Sequence, residues 1–285
     1  MSAKPARIRV VTDTTAVLPR AYLESHHVEN VPQMIMFGEE SFQEEYEISF
    51  ADFIRRLRAS KQLPKTAAPT PGLMVEAYQR QLAEADTVLS IHPSTDLSGT
   101  VRSALTAKEE AFPDADIRIL DTRTVGANLA SMVMDAVEWA ESGVSADEIM
   151  NRLQAMIPRS RIYFLVATLE YLQKGGRIGG AQALIGSVLQ IKPILQLQDG
   201  RVEPREKVRT HHLALERLKE LVIEQCPRDP LAHLSVMNAG ELEAAERLAR
   251  ELASTLGAKH VPVYNVGASI TTHGGPGILA VAFFA

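Results

Sequence analysis

Short apolar runs alternate with helical patterns through the first half of the chain. Patterns typical of buried strands cover residues 8–11, 31–37, 88–91 and 117–120, and helical spacing covers residues 50–58, 75–85, 101–111 and 125–142. Parallel strands need long crossover connections, which are usually helices. The alternation therefore predicts an α/β unit built on a parallel sheet.

The second half has a different order of elements. Helical patterns cover residues 146–156, 213–225 and 241–256, and strand patterns cover residues 162–166, 194–197, 202–207, 234–237, 262–266 and 278–284. Asp199-Gly200 lies between two of the apolar runs, and this dipeptide is a strong hairpin signal. A glycine-rich loop joins the last two strand patterns. These features predict a mixed or antiparallel sheet.

Length and composition favour two domains, because 285 residues exceed the usual size of a single hydrophobic core. We place an N-terminal α/β domain at residues 1–158 and a C-terminal α/β domain at residues 159–285. The net charge of −5 argues against a nucleic-acid-binding protein. Because the sequence shows no signal peptide and no apolar run of membrane-spanning length, we expect a cytoplasmic protein. The single cysteine, Cys226, is expected to be a passive thiol.

Ser98-Gly99-Thr100 follows the strand pattern at residues 88–91 and precedes the helical pattern at residues 101–111. In a parallel sheet this position lies at the carboxyl edge, where ligands bind and where helix N-termini offer free N–H groups to anions. The turn is therefore a candidate anion site. A simple helix cap explains the same residues.

Two further segments contain small polar residues. In the proline-containing segment 65–72, Thr66 can present a hydroxyl to a ligand or serve the loop alone, and Thr70 is expected to cap the next helix. The segment 92–98 contains His, Ser and Asp, but no Gly-x-Ser-x-Gly elbow is present. We therefore interpret His92 as a loop histidine that is exposed or hydrogen-bonded locally.

Two glycine-rich segments, at residues 174–180 and 271–277, complete the candidates. Neither has the spacing of a phosphate-binding P-loop or of a dinucleotide-binding motif. His273 lies among glycines that permit close approach of another group. Pairing with a carboxylate and an ordinary structural role both remain open for this residue.

Several of these motifs, taken together and in their order, resemble the bacterial DegV family. The resemblance lies in Val11-Thr12-Asp13-Thr14-Thr15-Ala16, the Thr66 segment, Leu97-Ser98-Gly99-Thr100, Asp121-Thr122, Leu169-Glu170-Tyr171-Leu172 with Lys174-Gly175-Gly176-Arg177-Ile178-Gly179, Ile191-Lys192-Pro193-Ile194-Leu195 and His273-Gly274-Gly275-Pro276-Gly277. These segments cover essentially the whole chain, and the Gly-Gly-Arg block is highly specific.

The resemblance implies a lipid-binding protein, rather than an enzyme, that holds one long-chain fatty acid in a tunnel between two domains and needs no cofactor or metal. It also implies a partner, a fatty acid kinase resembling dihydroxyacetone kinases, which makes an acyl phosphate for phospholipid metabolism. Thr66, Ser98 and Gly99 would contact the carboxylate, with His273 beside it. Arg177 would lie near the mouth of the tunnel and would assist docking of the kinase. We expect Arg209 to belong to the same docking surface.

The chain departs from the family at the first hydroxyl, where Thr-Ser-Gln-Pro is common and Thr66-Ala67-Ala68-Pro69 stands here. The contacts of the Ser and Gln side chains would be absent. Candidates for the wall around the acyl tail are an apolar helix at residues 181–189, which includes Gly186, and the run at residues 34–37.

Two other functions remain open from the residues themselves. An enzyme acting on a small carboxylate or phosphate would use the same loops. A regulatory or interaction protein would use Arg177, Arg205 and Arg209 as a docking surface.

Overall fold

The computed structural model describes residues 7–60, 62–185 and 191–285. In the first half, the strands are β1 (Ile8–Asp13), β2 (Glu29–Val31), β3 (Met34–Phe37), β4 (Glu40–Gln43), β5 (Lys65–Ala67), β6 (Thr87–His92) and β7 (Ile117–Asp121). The helices there are α1 (Arg20–Ser25), α2 (Phe50–Ala59), α3 (Pro71–Leu82), α4 (Thr100–Ala111), α5 (Ala127–Glu141) and α6 (Ala146–Met156).

The predicted parallel sheet is confirmed. Its strand order is β2-β1-β6-β7, and each neighbouring pair is parallel. Successive residues of a strand point to opposite faces, so Val10 packs in a core with α5 and α6, whereas Val11 packs in a core with α3 and α4. Because helices cover both faces, apolar side chains of the same strand are buried on both sides of the sheet.

The prediction of one strand over residues 31–37 was wrong. Pro32 and Gln33 interrupt the run and divide it into two strands. β2 is an edge strand of the parallel sheet, and β3 belongs to a separate antiparallel sheet of order β4-β3-β5. Proline has no N–H to contribute to a ladder. Thr66, which we expected in a loop, lies in β5 and pairs with Ile35.

The second half contains β8 (Ser160–Leu165), β9 (Lys192–Gln198), β10 (Arg201–Val208), β11 (Ser235–Asn238), β12 (Val263–Asn265) and β13 (Leu279–Phe284). Its helices are α7 (Glu170–Lys174), α8 (His211–Gln225), α9 (Leu242–Leu256) and α10 (Gly267–Gly274). The strands form one mixed sheet of order β10-β9-β8-β13-β11-β12, as predicted. The hairpin at Asp199-Gly200 is also confirmed, and both residues have the positive φ angles that a tight turn of this kind requires.

Two loop and helix predictions need correction. The glycine-rich loop predicted over residues 271–277 begins inside α10, which places His273 in the last turn of a helix. The helix predicted over residues 181–189 is a 3-10 helix over Gly179–Leu184, and residues 186–190 lie outside the described residues.

The strands of the first two sheets end by Asp121, and those of the mixed sheet begin at Ser160. A domain boundary between Pro158 and Arg159 stays a prediction. Within the described ranges, none of the helices has the length and apolar composition that a membrane span requires.

Candidate functional site

A cavity of about 140 Å³ lies between the carboxyl edge of the parallel sheet and one face of the mixed sheet. A single buried water needs only roughly 10–15 Å³ in such a measure, so the space is far larger than a packing defect. Most of its wall is apolar and comes from the mixed sheet and its connections. These apolar residues include Ile162, Phe164, Leu172, Leu197, Val202, Met237, Val266, Ile270, Ile278 and Ala280.

Ser98 contributes one polar group to this cavity from the turn that leads into α4. Its Oγ lies 2.7 Å from Thr100 Oγ1 and accepts a hydrogen bond from the Thr100 backbone N–H at 3.3 Å. Ser98 therefore supports the start of α4 and also faces the cavity, which combines the two interpretations of this turn. Gly99 is exposed, so this end of the cavity lies close to the protein surface.

Thr66 and His273 form a second polar pair in the same cavity. Thr66 Oγ1 lies 2.7 Å from His273 Nε2, although the two residues are 207 positions apart. Burial, and to a smaller extent the charge of Arg177, lowers the pKa of His273 to about 4. The imidazole is therefore neutral at pH 7, and its Nδ1 has no hydrogen-bond partner among the described residues.

Gly175 allows the close approach of the His273 ring. Its φ of −77° is one that any residue can adopt. A Cβ built on Gly175 would, however, lie only 2.4 Å from His273 Nδ1. The glycine at this position is thus required by the space that the histidine occupies.

Arg177 brings a positive charge to the cavity. Its Nε donates to the Leu97 carbonyl at 3.1 Å and its Nη1 donates to the Gly175 carbonyl at 2.7 Å. Burial lowers the pKa of this guanidinium, and in the part of the chain that the structure describes its hydrogen-bond partners are carbonyl groups and no carboxylate pairs with it. Arg177 is half-buried and its partners are neutral carbonyl groups, so an anionic ligand beside it would be favourable.

The structure thus brings together Thr66, Ser98, Gly99, His273 and Arg177 around one cavity. Arg209 is exposed between β10 and α8 and is not among the residues that line it. Residues 34–37, expected near an acyl tail, are also absent from the described lining, and Ile35 packs in the core beneath α2 instead. Ala68 lines the cavity, whereas Ala67 points to solvent.

The interpretation of His92 as a loop histidine was wrong. It ends β6, has no exposed surface, and its Nδ1 lies 2.9 Å from Asp13 Oδ2. Its Nε2 lies 2.6 Å from Ser90 Oγ, which contacts the Tyr78 hydroxyl at 2.7 Å. Asp13, His92 and Ser90 are hydrogen-bonded in the order carboxylate, imidazole, hydroxyl, as in a catalytic triad. All three are fully buried, however, and none of them lines the cavity. This arrangement is a buried structural network.

Glu44 is another buried group that sequence reasoning missed. Its carboxylate accepts hydrogen bonds from the Thr14 hydroxyl and from the backbone N–H and hydroxyl of Ser269, at the first turn of α10. Burial raises the pKa of Glu44, and these hydrogen bonds oppose that shift. Because α10 carries His273 at its other end, Glu44 helps to position the histidine. The 225-residue separation from Ser269 leaves no local signal in the sequence.

Other reactive groups are limited. Burial raises the pKa of the Cys226 thiol to about 11, so the thiol stays protonated at neutral pH. Among the described residues, no group of three or more His, Cys, Asp or Glu side chains is arranged to hold a metal ion.

Comparison with known proteins gives consistent matches over nearly the whole chain. The family model described as "Uncharacterised protein, DegV family" matches residues 7–285. A DegV domain-containing protein from Deinococcus radiodurans is 36% identical over 278 residues, which cover 96% of this chain and 97% of the relative.

Solved structures agree with that assignment. A DegV family protein from Thermus thermophilus, described by its fatty acid binding, has a TM-score of 0.91 at 34% identity and covers 98% of this chain and 99% of its own. DegV from Bacillus subtilis, described as a fatty acid binding protein, has a TM-score of 0.87 at 33% identity and covers 98% of this chain and 100% of its own.

Proposed function

Because this chain belongs to the DegV family, we propose that it binds one long-chain fatty acid in the cavity between its sheets. The observation that carries the proposal is the division of the cavity into an apolar wall and a polar end with an unpaired guanidinium. The fatty acid binding described for the Thermus and Bacillus proteins supports it. The ligand would lie between domains formed by residues 1–158 and 159–285.

The polar end suits a carboxylate. A carboxylate that leaves water needs hydrogen bonds and positive charge to replace its hydration. The Ser98 and Thr66 hydroxyls, with His273 beside Thr66, supply donors, and Arg177 supplies charge. The start of α4 at Thr100, next to exposed Gly99, adds the positive end of a helix dipole.

The apolar wall suits an acyl tail. Each buried CH₂ group contributes roughly 0.8 kcal/mol, so a tail of a dozen carbons can supply most of the binding free energy. Phe164, Leu197 and Ile278 are among the side chains that would contact it. A small polar substrate would leave this wall exposed to water, which disfavours the enzyme alternative.

Titration with hexadecanoic acid tests the proposal. Ser98→Ala and Thr66→Val each remove one donor to a charged group, and such hydrogen bonds contribute about 1.5–3 kcal/mol. We therefore expect each variant to bind at least tenfold more weakly, while Ser254→Ala, on the exposed side of α9, binds like the wild type. Unchanged affinity in both cavity variants would remove the assigned site.

We also propose that the bound acid is presented to a separate fatty acid kinase. An oxygen of the carboxylate would attack the γ-phosphorus of ATP, forming the acyl phosphate and releasing ADP. The exposure of Gly99 beside Ser98 supports access to the carboxylate from outside. Arg177, which lines the polar end of the cavity, and Arg209, which is exposed directly after β10, would contribute positive charge to the docking surface.

A phosphoryl-transfer assay tests the partnership. The purified chain with hexadecanoic acid and ATP should form no acyl phosphate until a bacterial fatty acid kinase is added. Arg209→Ala should then lower the rate without changing fatty acid affinity, whereas Arg250→Ala on α9 should change neither. Turnover without the kinase would instead favour an enzyme, and equal rates for the two arginine variants would remove Arg209 from the docking surface.

A further inference from the structure

A chain of buried hydrogen bonds connects Ser98 in the cavity with the carboxylate of Asp13. Ser98 Oγ lies 2.7 Å from Thr100 Oγ1, and Gln33 Nε2 lies 2.9 Å from Thr100 Oγ1 and 3.0 Å from Asp13 Oδ1. Thr100, Gln33 and Asp13 are all buried. Because water is excluded from these groups, each polar hydrogen needs its acceptor within the protein or in the cavity.

Asp13 determines which way the Gln33 amide points. Its Oδ1 accepts the backbone N–H and the hydroxyl of Thr15, and its Oδ2 lies against His92 Nδ1. Because Oδ1 already accepts two hydrogens from Thr15, it is also an acceptor toward Gln33, and the amide nitrogen of Gln33 faces it. The second hydrogen of that nitrogen is then donated to Thr100 Oγ1.

The direction of donation at Gln33 also determines the direction of the hydrogen bond between Thr100 and Ser98. Thr100 Oγ1 accepts a hydrogen from Gln33, and the amide nitrogen cannot accept one in return. The Thr100 hydroxyl hydrogen therefore goes to Ser98 Oγ, which also accepts the Thr100 backbone N–H. Both lone pairs of Ser98 are then occupied. Its own hydrogen finds no acceptor in the described part of the chain and is available to a group in the cavity.

We propose that Gln33 is a positioning residue that holds the Ser98 hydroxyl as a donor, so that the cavity selects a head group that accepts hydrogen bonds and carries negative charge. This inference rests on the proposed function. The Thr66–His273 pair has the same polarity, because only one hydrogen lies between Thr66 Oγ1 and His273 Nε2. When the neutral imidazole carries its hydrogen on Nε2 and donates it to Thr66 Oγ1, the Thr66 hydroxyl hydrogen is left for an acceptor in the cavity, whereas Nδ1 is buried.

The pKa of the bound ligand reports this polarity directly. Hexadecanoic acid labelled with ¹³C at the carboxyl group is bound to the full chain, and its chemical shift is followed as a function of pH. Donors to the ionised form lower the pKa of the bound carboxyl group. Ser98→Ala is therefore expected to raise it relative to the wild type.

Two substitutions of Gln33 change the donor and acceptor roles along this series of hydrogen bonds. Gln33→Met removes both donors without adding charge, and Gln33→Glu replaces a donor to Thr100 with an acceptor. We expect each to raise the pKa of the bound carboxyl group by about one pH unit and to weaken binding about tenfold. Gln79→Glu adds the same charge on the exposed side of α3 and should leave both quantities at wild-type values.

Thr100→Val separates polarity from packing. Valine has the shape of threonine but cannot accept the Ser98 hydrogen, so that hydrogen still has the ligand as its acceptor. The pKa of the bound carboxyl group should therefore rise less in Thr100→Val than in the folded Gln33 variants, because the Ser98 hydrogen is still donated to the ligand. If the pKa of the bound carboxyl group rises as much as in Gln33→Met, these residues affect the ligand through packing and not through the direction of their hydrogen bonds. That result would overturn the proposal.

The remaining outcomes are also decisive. Thermal unfolding identifies which variants remain folded, and the comparison uses those. If Ser98→Ala raises the pKa of the bound carboxyl group but the folded Gln33 variants do not, the polarity proposal is wrong and fatty acid binding stands. If the wild type takes up no labelled acid, both the proposed function and this inference are wrong.

Discussion

Ser98, Thr66 and Arg177 bring hydrogen-bond donors and positive charge to one end of a cavity whose wall is mostly apolar. At the scale of single residues, the important quantity is the position of each hydrogen. Neutral His273 cannot contribute charge at pH 7. The positive charge at this end therefore comes from Arg177. Among the described residues its guanidinium bonds only to carbonyl groups, so its charge is available to a ligand.

Stability should depend on pH through His273. Its pKa is about 4 in the folded chain, against an ordinary value of 6.5, so between these values the unfolded chain binds more protons. Stability attributable to His273 is therefore lost as the pH falls from about 6.5 to 4, by up to roughly 3 kcal/mol. His273→Gln should lose less stability over this window in denaturant unfolding, whereas exposed His260→Gln should follow the wild type. Parallel curves for all three proteins would contradict the assignment.

Sequence reasoning found some of these residues and missed others for a physical reason. Ser98, Thr66 and His273 belong to short motifs that resemble the family. Gln33 stands alone after Pro32, and its contacts with Asp13 and Thr100 join residues 20 and 67 positions away. Such pairs exist only after the sheet has formed, so local spacing carries no signal for them.

At the scale of elements, α10 links the cavity to the small antiparallel sheet. Glu44 holds the first turn of α10, and His273 lies in its last turn. Sequence patterns predicted the parallel and mixed sheets, because buried strands and amphipathic helices repeat clearly there. They did not predict α10 or β5, because these elements are only eight and three residues long and contain glycine or follow proline.

Glu44→Gln should loosen α10. The amide would place an N–H group against at least one of the donors that Glu44 now satisfies, and an unsatisfied buried group costs about 1–3 kcal/mol. We expect a loss of stability of that size and faster hydrogen exchange over residues 267–274. Glu39→Gln, at an exposed position, is the matched control. Wild-type exchange in α10 of Glu44→Gln would show that the carboxylate does not anchor the helix.

Gly175→Ala tests the contact between α7 and α10. The backbone of Gly175 accommodates alanine, but the new Cβ would meet His273 Nδ1 at 2.4 Å. The ring must then shift, which disturbs its contact with Thr66, and we expect fatty acid affinity to fall about tenfold. Gly72→Ala in the first turn of α3, where a Cβ would meet only Thr70 Oγ1 at 3.8 Å, should bind normally. Equal affinities in isothermal titration would mean that the position of His273 is not needed for binding.

At the scale of the whole molecule, the cavity requires both halves of the chain. The tip of the β9–β10 hairpin contacts the first half, where the Ser94 hydroxyl donates to the Gly200 carbonyl and Arg201 pairs with Asp96 at 2.9 Å. The sequence predicted the hairpin from Asp199-Gly200, but not the surface on which its tip rests. A ligand that contacts both walls would stabilise the assembled molecule by mass action.

The central claim is that one long-chain fatty acid occupies this cavity, and native mass spectrometry of gently purified protein tests it most directly. The spectrum should contain the chain with one added mass in the range of a long-chain fatty acid, and denaturation should release that mass. The double variant Ser98→Ala/Thr66→Val should retain less of it. A spectrum with no bound lipid, together with no uptake of added hexadecanoic acid, would contradict the account.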